Sequence, residues 1–160
     1  MNRELALKDI RDTLEYFTRT ISILEEGDSN FAPAAEMYTV AGHVAHTAIT
    51  VDWFVDGAFG SDGWNMDFDL HVAQAKAVTS LADAKAQLAQ SFANAAKVIE
   101  AQSEQRLLEP FPADDLILPG SPRLHAITLA IADHTGHHRG ALSVYARLLG
   151  KVAPMPYMPT

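Results

Sequence analysis

Apolar residues recur three and four positions apart in four separate stretches of this chain, and no stretch alternates apolar and polar residues with the period of two that a half-buried strand requires. The expected fold is therefore all-α. The first helix spans about Asn2 to Glu25, with Leu14, Phe17, Ile21 and Leu24 on one side, and "EEGDSN" ends it. The second runs from Val40 to about Gly57, with Thr39 placed to cap it. In the third, Ser80 followed by Asp83 resembles a capping box, and Leu81, Leu88, Phe92, Ala95 and Ile99 form one stripe until "QSEQ". The fourth is expected to start at Ser121, with Pro122 at its first position, and to stop at Gly150, where a left-handed cap needs no Cβ. The stretches "FGSDGWNMDFDLHV" and "LLEPFPADDLILPG" read as irregular connections. The tail "KVAPMPYMPT" cannot coil around its prolines, yet it is apolar enough to lie against the body. Four such helices make a four-helix bundle, one domain over 1–160, with cofactor sites expected on facing helices.

Composition narrows the function. A net charge of -8 opposes the phosphate neutralisation that nucleic-acid binding needs, and the few Lys and Arg form no patch with interleaved aromatics. No nucleic-acid partner is expected. No uncharged apolar run approaches the roughly 20 residues of a membrane span, and the N-terminus is charged throughout, so a cytoplasmic protein with no membrane partner is expected. There is no cysteine. Any metal site must use imidazole and oxygen.

The chemistry concentrates in "DHTGHHRG", residues 133–140, where His134 and His138 fall inside the same stripe as Ile127, Ile131, Leu142, Tyr145 and Leu149. An i, i+4 pair projects both imidazoles from one face, the geometry by which a helix offers two ligands to one ion. Buried without partners, each would cost on the order of 1–3 kcal/mol, a cost that a shared cation removes. A third donor is available on the second helix in "GHVAHTAIT". The face around His46 carries Thr39, Gly42, Thr50, Trp53 and Gly57, small residues beside aromatics, as a ligand pocket requires. His43 lies about 60° from His46 and suits a supporting position or solvent, and His137 sits on the flank of the pair. His43, Thr50, Trp53 and His137 are accordingly the expected pocket and supporting residues. His125 points to the opposite side.

Together, "YTVAGHVAHTA" at 38–48 and "HTGHHRG" at 134–140 resemble the DinB/YfiT superfamily of four-helix proteins, which includes mycothiol-dependent maleylpyruvate isomerases and bacillithiol-linked S-transferases. The resemblance covers essentially the whole chain. It implies a divalent metal ion, Zn or Ni before Fe or Mn, held by His46, His134 and His138, with open positions for water or a small-molecule substrate, commonly in a homodimer. It also implies a metalloenzyme whose nucleophile could be a low-molecular-weight thiol, giving S-transfer or isomerisation; a metal-dependent hydrolase and a non-catalytic binding protein are the alternatives. Many relatives have tryptophan where Tyr38 stands, glutamine where Ala141 stands and an acidic residue where Thr50 stands. The last departure leaves the catalytic base unassigned. By helical angle Asp52, Asp56 and Asp133 point away from the histidine faces and read as solvated or interface residues, and Arg139 also points away and reads as a salt-bridging or packing residue rather than a substrate contact.

Two further expectations concern packing. Gly136 and Gly140 are poor helix formers, and close approach of a neighbouring helix would account for them. Val40, Val44, Ala48, Val51 and Val55 make a second apolar stripe on the second helix, opposite His46; helix one or three of the same chain, aided by the apolar tail, or a dimer contact would cover it, and the family resemblance favours the dimer.

Overall fold

The computed structural model describes residues 2–158, and among these every regular element is helical. The elements are α1 (Asn2–Ile21), α2 (Val40–Phe59), α3 (Phe68–Ala77), α4 (Leu81–Ala101), α5 (Glu104–Leu108) and α6 (Ala132–Leu148), with a 3-10 turn at Glu26–Asp28 and a π-helical stretch at Ala126–Ile131 leading into α6. α2 packs most extensively on α4, while α1 lies against both α4 and α6. Their apolar faces meet in one core that includes Phe17, Ile21, Leu24, Val51, Leu88, Phe92, Ile127, Ile131 and Leu142.

The capping residues behave as their chemistry requires. The Thr39 side chain accepts from the Gly42 N–H, and the Ser80 side chain from the Asp83 N–H. Gly150 closes the last helix with φ of 75°, in the left-handed region.

Other boundaries differ from the sequence expectation. α1 ends at Ile21 rather than near Glu25, because Leu24 N–H turns back to the Ile21 carbonyl. Part of the connection after α2 is itself helical: Asp67 caps α3 by accepting from Leu70 N–H, but only Ala75 of α3 is buried, so no apolar stripe announced it. The last helix does not begin at Pro122. Phe111 N–H donates to the Ser121 carbonyl, Arg123 N–H to Glu109 and Leu124 N–H to Leu107, so this segment pairs with residues 107–111 instead of coiling.

The second stripe of α2 is not a surface. Val40, Val44, Ala48, Val51 and Val55 are all at most 4% exposed within this single chain. α4 is the principal neighbour of α2, and the Ser91 hydroxyl of α4 donates to the Asp52 carboxylate at 2.6 Å. The stripe therefore gives no ground for a dimer, and Asp52 is half-buried in a helix contact rather than solvated. The glycine expectation fails as well: a Cβ built at Gly136 or Gly140 would meet nothing within 4 Å. The tail residues from Lys151 to Met158 carry no helix, and they touch the body where Arg19 donates to the Pro156 carbonyl and Arg139 to the Tyr157 hydroxyl.

Candidate metal centre

With its valine stripe committed to the core, α2 turns His46 toward the last helix. There it meets the ring of His138 at 4.7 Å and that of His134 at 5.3 Å. His134 and His138, one turn apart on α6, place their Nε2 atoms 3.0 Å from each other. One ring nitrogen from each of the three histidines lies within 4.8 Å of the others. Tetrahedral imidazole ligands at about 2.0–2.1 Å from an ion stand about 3.4 Å apart, so the cluster is near that spacing.

Burial sets the protonation state. Desolvation lowers the pKa of all three, that of His134 to about 4, and the neighbouring imidazoles push in the same direction. Neutral imidazole is the form that has a lone pair to give. Three neutral nitrogens converging with no carboxylate or thiolate among them suit a borderline divalent ion such as zinc or nickel. The residues present fit the ion that the family resemblance implies.

The surroundings hold the rings in place. Tyr38 stacks on His46 with centroids 5.0 Å apart and planes 21° from parallel, and its hydroxyl lies 3.5 Å from His46 Nδ1. The Tyr145 hydroxyl donates to the Tyr38 carbonyl, tying that stack to α6. Tyrosine at this position thus provides an aromatic face, as tryptophan would. His43 is 6% exposed, and its Nε2 lies 2.6 Å from Nδ1 of His138.

Thr50 does not reach the site, because its hydroxyl donates to the His46 carbonyl of its own helix. Trp53 donates from Nε1 to the Asn65 carbonyl and lines a cavity of about 480 Å³ with Asp52, Asp56 and His71. None of the three clustered histidines lines that cavity. His134 instead opens onto a chamber of about 620 Å³, walled by Phe54, Ile117, Leu118 and Ala130 and edged by Asp133, His137 and Arg139. Asp133 is exposed, as its helical angle implies, and is the one carboxylate at the edge of this chamber. Sequence periodicity could not find the Ile117 and Leu118 wall, because these residues lie in an irregular connection whose course is set by Asp115. The Asp115 carboxylate accepts from both of their backbone N–H groups and from Trp64 Nε1.

The sequence profile of the DinB superfamily matches residues 7–142. The chain belongs to the DinB superfamily. A crystal structure of a protein from Streptococcus pneumoniae superposes with a TM-score of 0.70 at 17% identity, covering 93% of this chain and 92% of that one, a likeness of fold alone. No curated protein matches the chain. Within the DinB match fall all three clustered histidines and His43, while the tail from Lys151 onward lies beyond it.

Proposed function

We propose that this chain is a cytoplasmic, divalent-metal-dependent enzyme of four-helix-bundle architecture that acts on a small molecule, with His46, His134 and His138 as the metal ligands. The observation that carries the reading is the convergence of three burial-neutralised imidazoles, one of which also lines a chamber large enough for a small substrate. A divalent ion bound there would act as a Lewis acid, making a nucleophile available at neutral pH from a thiol or from water. The chain has no cysteine, so a thiol would have to be a separate low-molecular-weight molecule. Phe54, Ile117 and Leu118 would receive the apolar part of a substrate, while Asp133, His137 and Arg139 offer polar groups at the edge. This division favours a substrate with both characters. S-transfer or isomerisation is the reaction class put forward.

A non-catalytic binding role is the second reading, and one observation favours it: where a carboxylate would stand one turn after His46, the Thr50 hydroxyl is spent on the backbone.

Elemental analysis of protein purified without chelator tests the ligand set. His46→Ala and His138→Ala should each lose most of the metal, a fall in affinity of well over tenfold. His137→Ala should keep it, since that side chain is exposed and outside the cluster. Stoichiometric metal in either of the first two variants would overturn the assignment.

A further inference from the structure

A neutral imidazole carries one N–H and one lone pair, and His138 has a neighbour at each nitrogen. Its Nδ1 lies 2.6 Å from His43 Nε2, and its Nε2 lies 3.0 Å from His134 Nε2. With both rings neutral, only two arrangements satisfy the first contact. If His43 donates from Nε2, His138 must carry its own hydrogen on Nε2, aimed at His134, and it then has no lone pair to offer the cluster. If His138 donates from Nδ1, its Nε2 lone pair faces His134 and His46, and His43 carries its hydrogen on Nδ1. The proton count is the same in both. Only the tautomers differ.

Resting on the metal-ligand reading of the three histidines, we infer that His43 is a positioning residue: it accepts the Nδ1–H of His138 and so holds that ring with Nε2 free to ligate. Ligating histidines commonly donate their second N–H to a carboxylate, a backbone carbonyl or water, which fixes tautomer and ring orientation. Here the partner is another imidazole, and its own place is fixed by packing. The His43 ring meets Tyr145 edge-on at 5.3 Å and lies 5.9 Å from Tyr38, and both His43 and His138 are over nine-tenths buried. Water therefore has little room to replace His43 as acceptor. His43 Nδ1 has no hydrogen-bond partner, so no other contact competes to dictate which of its nitrogens is protonated. The three-residue step from His43 to His46 lets one helix supply a ligand and, about 60° away, the support for a ligand on another helix.

The test compares unmodified protein, His43→Leu and His43→Gln, each stripped with chelator and titrated with Zn²⁺. Folding is followed by circular dichroism, and the tautomer of His138 is read from ¹⁵N-histidine NMR of the zinc-loaded unmodified protein. His43→Leu should weaken zinc binding about 10–100-fold, and His43→Gln, whose amide oxygen can accept in place of Nε2, should recover most of that loss. The NMR spectrum should show the hydrogen of His138 on Nδ1. A folded His43→Leu that binds zinc within about threefold of the unmodified protein overturns the inference and leaves the ligand set standing. A hydrogen on Nε2 of His138 overturns it without recourse to any variant. If the unmodified protein takes up no zinc, the metal reading falls and this inference with it.

Discussion

His43, His46, His134 and His138 each have a pKa lowered chiefly by burial, to about 4 for His43 and His134. In the unfolded chain each would take a proton near pH 6.5. Below that pH the unfolded state binds protons that the folded state refuses, so stability falls as pH drops. The contribution is fully present above about 6.5 and lost as pH falls toward the lowered folded values, which for His43 and His134 lie at about 4. Glu26, Asp28 and Asp115, whose pKa values are lowered, lose their contributions below this window, while burial raises Asp52 and works in the opposite sense. The denaturant midpoint of chelator-treated protein should therefore be flat from pH 8 to 7 and decline clearly from about 6.5 to 4.5. A midpoint unchanged across that interval would mean that these rings are not held neutral by the fold. The pairing of His134 with His138 was legible in the sequence, since spacing alone fixes which side chains share a face. A supporting position for His43 was legible too, from its offset to His46, but its contact with His138 was not, because that residue lies on a helix whose rotation about its own axis no periodicity reports.

Among the elements, α2 and α6 carry contrasting glycines. Gly140 sits inside α6 with open space where a Cβ would go, so Gly140→Ala should stabilise the fold by about 0.5–1 kcal/mol through helix propensity alone. Gly57 of α2 is the opposite case: its Cβ would come within 2.0 Å of the Trp64 ring. That indole is stacked on Phe111 at 5.5 Å and donates to Asp115 at 2.9 Å, so it cannot yield freely. Gly57→Ala should cost about 1–3 kcal/mol by overpacking. Thermal denaturation of the two variants checks both signs, and a neutral Gly57→Ala or a destabilised Gly140→Ala would contradict the packing described. Thr39, Ser80 and Gly150 made three helix ends readable, because a cap is a local interaction between residues close in sequence. The start of the last helix was hidden because it is decided by pairing with residues 107–111, a contact that no window over 121–131 contains. The valine stripe of α2 was likewise visible as apolar, but its cover was not, since periodicity identifies a face and not the neighbour that buries it.

At the scale of the whole molecule, a homodimer remains the assembly that the family resemblance implies, and it would have to use a face other than the α2 stripe. Val51 is 1% exposed, so Val51→Lys would unfold the chain rather than separate two copies. The metal cluster has a different dependence on the whole. One of the clustered histidines stands on α2 and two on α6, so the three nitrogens share no segment shorter than the span from His46 to His138. During synthesis, nothing that emerges before His134 can hold an ion in this way. An ion held by all three would therefore require α2 and α6 to have come together, and could not outlast their separation. Ion release and loss of helical signal should then share one midpoint in a denaturant titration. Release well before the helices melt would show that α6 can leave α2 while the rest of the chain stays closed.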